Sequence, residues 1–298
     1  MCVKISVIIP TRNVVSYLEE CLLSIKQQKI LDPDVTFDIW IGVDNCEQTL
    51  SYLRERIIDF PAAKAFYFNE HLGPYIIRNT LATLCDADYI VFFDSDDIMT
   101  DGFLQSLIAP LKSNDIVQFG LNDFIEVKDR DGLSQKVFDR QAIKRFEKNV
   151  IKQNAALING KRSLLKKFLS VKESKYLNSE RYYKFITGIF KQRKSGVFAI
   201  KKSTFIKLNG FKAWKVQADV EFVMRAGLIK DYKVTHPKQI CFLRRIHDHN
   251  ITSSYKFGMN SQLRKEYQKK SKTSIYKTEP IVISDNYSEI FNVLMQNS

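Results

Sequence analysis

The sequence predicts an α/β fold: a mostly parallel central sheet flanked by helices. Three observations carry this reading. Short β-branched and aromatic runs alternate with segments of helical apolar spacing through the first 120 residues, and a βαβα order implies a parallel sheet covered by helices. The fourth run, Tyr89-Ile90-Val91-Phe92-Phe93, ends abruptly in Asp94-Ser95-Asp96-Asp97, and such sheets bind ligands outside the carboxyl ends of their strands. The chain has 298 residues, 45% of them hydrophobic, enough for one large domain with an accessory lobe.

The elements follow in order. Residues 4–9 form a strand ended by Pro10, and residues 15–28 a helix with Leu18, Cys21, Leu22 and Ile25 on one face. Residues 37–43 form the second strand, stopped by Asp44-Asn45, and residues 50–58 a helix. The third strand is 65–68, followed by a helix over 75–84; the fourth strand is 89–93, followed by a helix over 103–111; residues 116–121 form a fifth strand. Residues 124–138, with the turn Asp129-Arg130-Asp131-Gly132, read as a hairpin. Residues 141–194 read as an insertion of basic amphipathic helices. Strand character returns at 196–200, and a short helix over 203–208 closes at Asn209-Gly210. A helix within 215–228 carries Asp219 and Glu221 near its start, and a late strand over 239–246 leads to His247. Residues 258–298 are polar and mixed, and no role is read for them.

The polar ends of the first four strands are Thr11-Arg12-Asn13, Asp44-Asn45, Asn69-Glu70-His71 and Asp94-Ser95-Asp96-Asp97. They predict one shared site. Carboxylates are costly to bury unless paired or metal-bound, so three acids closing a core strand predict a cation site. Hard oxygen ligands suit Mg²⁺ or Mn²⁺, ions that commonly arrive bridged to substrate phosphates. The competing reading is a helix N-cap at Asp96 or Asp97, which one aspartate would satisfy.

The net charge is +13. Residues 144–202 hold 17 Lys/Arg against 3 Asp/Glu, so the rest of the chain is close to neutral. Such a block is either a solvated helical face or a surface for an anionic membrane or acidic glycan. It matches no groove-reading motif, so nucleic acid is not expected. No segment reaches the roughly 18 apolar residues of a membrane span, and the N-terminus runs directly into a strand without signal-peptide architecture. The five cysteines are scattered, with no CxxC pair, so a reduced cytoplasmic protein is expected, free or peripheral on the inner face of the cell membrane.

With these elements in place, the chain resembles family 2 glycosyltransferases of the Rossmann-like GT-A fold, especially bacterial enzymes that build capsule or lipooligosaccharide. The resemblance covers residues 4–121 and resumes over 188–254. It rests on Ile5-Ser6-Val7-Ile8-Ile9-Pro10-Thr11-Arg12-Asn13, on Tyr17-Leu18-Glu19-Glu20-Cys21-Leu22, on Gly73 with Arg78-Asn79, and on Asp94-Ser95-Asp96-Asp97, which looks like the family's Asp-x-Asp signature. Val43-Asp44-Asn45-Cys46 stands where the family has Asp-Asp-Gly-Ser, so Asp44 takes the place of the acid that contacts uracil or ribose. Ala218-Asp219-Val220-Glu221 with Arg225 stands where a Glu-Asp pair opens the helix of the catalytic base. Arg244-Arg245-Ile246-His247 with Asn250 is similar to the late Arg-x-His segment that closes over the diphosphate.

The resemblance implies a metal-dependent inverting transfer from a nucleotide-sugar, expected to be a UDP-sugar, to a hydroxyl of a glycan or lipid-linked acceptor. Asp219 is the implied general base. Asp96 and His247 are the implied ligands of Mn²⁺ or Mg²⁺. Pro10, Thr11, Arg12, Asn13, Asp44, Gly73, Arg78, Asp94 and Ser95 are expected on the donor, and Trp214 and Glu221 on the acceptor. Residues 1–122 form the implied donor half, 123–195 the hairpin and insertion, 196–257 the acceptor half, and 258–298 an extension. Plain structural readings stand beside these roles: Asp219 as a first-turn acid, His247 as a packed histidine, Trp214 as core. Two rival functions are a nucleotidyltransferase, which would carry a Gly-rich loop after the first strand where Pro10-Thr11-Arg12-Asn13 stands, and a catalytically inactive glycan-binding module.

Overall fold

The computed structural model describes residues 2–128, 132–158, 196–228, 232–237, 240–254, 256–258, 261–274, 277 and 279–292. Strands β1 (Val3–Thr11), β2 (Val35–Asp44), β3 (Ala63–Phe68) and β4 (Tyr89–Phe92) alternate with helices α1 (Val15–Lys26), α2 (Glu47–Arg56) and α3 (Pro74–Leu84). Next come β5 (Ile98–Met99), α4 (Phe103–Ser113), β6 (Ile116–Gln118), β7 (Gly120–Lys128), β8 (Ser134–Val137) and α5 (Arg140–Ile158). After β9 (Phe198–Lys201) follow α6 (Lys202–Lys207), α7 (Ala218–Leu228), β10 (Val234–Thr235), β11 (Cys241–Arg245), α8 (Gln262–Ser274) and β12 (Tyr287–Asn292).

Among the described residues, eight strands form the central sheet in the order β10-β6-β9-β4-β1-β2-β3-β12. Its middle is parallel: β4 with β1, β1 with β2, and β2 with β3. Alternate residues of one strand feed separate apolar cores: Val7 and Ile9 join one cluster and Ile8 the other. Strands covered on both faces are largely apolar, which is why these segments read as near-continuous runs; the buried polar residues Ser6 and Asp38 hydrogen-bond to each other. The sheet is mixed at its flanks, where β9 runs antiparallel between β4 and β6, and β12 runs antiparallel along β3.

A second sheet, β5-β11-β7-β8, stands beside the first. The predicted fifth strand divides there. β6 stays in the main sheet; after Phe119 the chain changes partner, Gly120 N–H donating to the Ile240 carbonyl at 2.9 Å, and β7 runs parallel to β11. β7 and β8 pair antiparallel, giving the predicted hairpin. α5 opens the basic segment and seats Ile143 against Ile125 and Ile246; the predicted helices over 159–194 lie outside the described residues.

The described part of the C-terminal stretch carries a helix and a strand. α8 packs Tyr267 against Trp214 at 5.3 Å between ring centroids, and β12 covers the edge of β3, the kind of exposed edge that invites unwanted pairing. All five cysteines are free. No helix among the described residues is long and apolar enough to cross a membrane.

Candidate active site

The apolar run of β4 is a buried central strand, and the chain leaves the sheet at its carboxyl end. There Asp94, Asp96 and Asp97 bring carboxylate oxygens within 4.8 Å of one another. The N-cap reading fails: the residues that follow are β5, and the next helix begins only after Gly102. Asp97 is buried; its Oδ1 accepts the backbone N–H of Arg245 at 3.0 Å, and its Oδ2 has no partner. Burial, then the charges of Asp96 and Asp94, push its pKa well up. Asp94 accepts a hydrogen bond from Arg78 Nη2. Although 45% of its side chain faces solvent, it lies deep enough in the site for lost hydration to be the main upward influence on its pKa; Asp96 and Asp219 add to that, and Arg78 opposes it. An orphaned buried carboxylate oxygen among crowded acids is what a divalent cation would relieve, so these residues fit Mg²⁺ or Mn²⁺.

His247 stands beside this cluster. Its Nε2 lies 2.8 Å from Asp96 Oδ2, which also accepts from Asn250 Nδ2 at 3.0 Å. The backbone N–H of His249 donates to His247 Nδ1 at 3.2 Å. In that bond Nδ1 is the acceptor, so Nε2 carries the ring proton and donates to Asp96 Oδ2. Its neighbour in the motif behaves differently. Arg245 is 2% exposed. Its Nε donates to the Asp96 carbonyl at 3.0 Å, its two terminal nitrogens donate to Glu126 and Glu20, and its guanidinium lies 4.6 Å from the Tyr17 ring and 4.8 Å from that of Phe124. Arg245 therefore holds the acidic loop from behind, and the expectation that the whole Arg-x-His segment covers the diphosphate narrows to His247.

On the expected donor side, Pro10 and Thr11 are still inside β1 and buried, so only Arg12 and Asn13 of that element reach the surface. Asn13 takes φ 55°, and Arg12 Nη1 donates to the Asp44 carbonyl at 3.3 Å. The Asp44 carboxylate is buried; it accepts the N–H groups of Leu72 at 2.8 Å and Gly73 at 3.1 Å and meets His71 Nδ1 at 2.8 Å. It fixes the turn into α3, where Gly73 stands at φ 86°, a conformation that side chains resist. Arg78 and Ser95 are both buried beside the acidic loop.

On the expected acceptor side, Asp219 opens α7, directly after Gln217 at φ 68°. Its Oδ1 accepts the Tyr75 hydroxyl at 2.6 Å. Two expectations are corrected. Glu221 has no exposed surface and is clamped by Arg225, whose Nε reaches Oε1 at 2.9 Å and Nη2 reaches Oε2 at 3.1 Å. Arg225 also holds the Leu208 and Gly210 carbonyls. Glu221 thus braces the helix instead of meeting an acceptor. Trp214 is 6% exposed, within the core beside Tyr267 and under Lys270 Nζ at 5.0 Å, so its faces are not open to a sugar ring. The sequence reading named Arg245 and Asn250 only as parts of the late segment and gave Tyr75 no role. The first two lie within the late motif and were visible there; Tyr75 carried no signal, since it fits the apolar spacing of its helix.

The model of glycosyl transferase family 2 matches residues 6–171, more than half of the chain. Among solved structures, S. aureus TarS 1–349 is 19% identical with a TM-score of 0.52, covering 81% of this chain and 60% of that one. The same fragment in complex with UDP-GlcNAc is 19% identical with a TM-score of 0.53, covering 83% and 60%, and in complex with UDP 18% identical with a TM-score of 0.52, covering 90% and 69%. At this identity the likeness shows a shared fold, and this chain spans about 60% of the fragment. Comparison with curated proteins finds no match. The match over residues 6–171 settles the affiliation: the chain belongs to glycosyl transferase family 2.

Proposed function

We propose that this protein is a metal-dependent inverting glycosyltransferase that uses a nucleotide-sugar, a UDP-sugar in particular, and extends a bacterial surface glycan such as capsule or lipooligosaccharide. The observation that carries the reading is the Asp94-Asp96-Asp97 cluster with His247 at the carboxyl end of β4, with Asp219 near enough to act on Asp94 electrostatically. The TarS fragment solved with UDP-GlcNAc and UDP supports the donor class.

A Mg²⁺ or Mn²⁺ ion would be held by carboxylates of this cluster, joined by His247 Nε2 once that nitrogen gives up its proton, and when bound would neutralise a leaving diphosphate. Arg78 fixes Asp94. Asn250 and Arg245 fix Asp96 through its side chain and its carbonyl. Asp219 accepts the proton of the acceptor hydroxyl as that oxygen bonds to the anomeric carbon and the bond to the diphosphate breaks, so one displacement inverts the centre. No enzyme nucleophile is required. The basic segment after residue 144 is the surface that meets a lipid-linked or acidic acceptor at the inner face of the membrane. Residues 1–122 serve the donor and 196–257 the acceptor, with 123–195 the hairpin and basic insertion.

A screen of nucleotide-sugars for Mn²⁺-dependent nucleotide release tests the reading. Release from at least one UDP-sugar is expected, lost in Asp96→Ala; Asp219→Asn is expected to abolish transfer while UDP binding persists. Wild-type protein that turns over no donor would favour the inactive glycan-binding module.

A further inference from the structure

Helix α3 touches both halves of the site through one face. Tyr75 and Arg78 lie three residues apart and so point the same way. The Tyr75 hydroxyl donates to Asp219 Oδ1 at 2.6 Å, and Arg78 Nη2 donates to Asp94 Oδ1. The guanidinium of Arg78 lies 5.8 Å from the Tyr75 ring, and the Tyr75 ring lies 5.4 Å from that of Phe211. The helix itself is anchored at both sides: Asp44 grips its first turn, and Asn79 exchanges hydrogen bonds of 2.8 Å with the backbone of Phe211. A second constraint acts on the other carboxylate oxygen. A Cβ at position 196 would lie 2.6 Å from Asp219 Oδ2, so only glycine there lets the acid sit where it does. A third is Gln217, held in the left-handed region immediately before α7, a conformation that costs on the order of 1 kcal/mol and persists only when its surroundings enforce it.

We infer that Tyr75 is a positioning residue: its hydroxyl fixes Oδ1 of Asp219, leaves Oδ2 to take the proton, and makes one turn of α3 the ruler between the base and the metal-site acid. The phenol is suited to this task. It is buried, and burial followed by the neighbouring Asp219 charge drives its pKa well up, so it remains a donor. The inference rests on reading Asp219 as the base.

The test uses UDP-GlcNAc, UDP-glucose and UDP-galactose with Mn²⁺, scored by UDP release, in wild type, Tyr75→Phe, Asp219→Asn and the double variant. Tyr75→Phe keeps the ring and its packing. It is expected to lower kcat about tenfold to a hundredfold, with donor KM and thermal midpoint close to wild type. The double variant is expected to be no worse than Asp219→Asn alone, because the two groups act as one. Gly196→Ala, which crowds Oδ2 from the other side, is expected to lower kcat in the same way. Wild-type kcat in Tyr75→Phe overturns the role of Tyr75 and leaves the base standing. Full activity in Asp219→Asn, or no release by wild type from any of the three donors, overturns both.

Discussion

Each acid of the site has a distinct environment, and that decides what it can do. Asp96 has protein partners on its Oδ2. Asp94 shares Arg78, and Asp97 has an oxygen with nothing to accept from. Burial first, and like charge second, raise the pKa of Asp97; burial also leads for Asp94, with Arg78 opposing. The sign of the consequence follows. A carboxylate whose folded pKa is raised holds its proton in the native state after the unfolded chain has lost its own. Its contribution to stability is present below the ordinary carboxylate range and is lost as pH rises through the folded pKa. A divalent ion takes the place of those protons. Mn²⁺ is therefore expected to raise the thermal midpoint more at about pH 7.5 than at about pH 5, and to release protons on binding. Calorimetry in buffers of different ionisation enthalpy measures that release; binding with no proton release would show that these acids are already ionised without metal.

At the scale of elements, the site is a joint between two sheets. β4 delivers the acidic loop, β11 runs through the second sheet and delivers Arg245 and then His247, and α1 and β7 supply Glu20 and Glu126 to hold Arg245 in place. Lys136 of β8 binds Glu20 in turn, so the hairpin that precedes the basic segment is tied to the loop by a chain of charges. Arg245→Met would keep much of the side-chain volume and remove these donors. Hydrogen bonds to charged groups contribute about 1.5–3 kcal/mol each, and Glu20 and Glu126 keep some access to water, so a net loss of about 2–3 kcal/mol is expected. Denaturant unfolding would measure it; an unchanged midpoint would show that the network is dispensable. Mn²⁺ affinity should fall with it, because the carbonyl of Asp96 loses its anchor.

At the scale of the whole molecule, charge and function are separated along the chain. The catalytic candidates sit on a frame close to electrical neutrality, whereas residues 144–202 carry the excess that gives the protein its +13. Electrostatic attraction to anionic lipid contributes about 1 kcal/mol per basic residue near the surface and weakens with salt. Reversing the charges of Lys161, Arg162, Lys166 and Lys167 is expected to weaken sedimentation with phosphatidylserine vesicles at low salt by at least about tenfold. Equal binding by the reversed protein would assign the block to a solvated face.

The first four strands and the helices between them were legible because strands buried on both faces are mostly apolar, and the polar residues that stop them fall at one edge of a parallel sheet. The acidic cluster was legible for the same reason: three carboxylates directly after a core strand have few stable explanations. Composition could not tell which polar residues face the cleft. Glu221 and Arg225 satisfy each other inside the core, Trp214 is covered by a helix some fifty residues further along the chain, and Arg245 is spent on its own acids. The pairing of Tyr75 with Asp219 joins residues 144 positions apart. Local pattern fixes periodicity and strand ends; pairing across that separation is set by how α3, β9 and α7 pack, so only the tertiary structure could decide it.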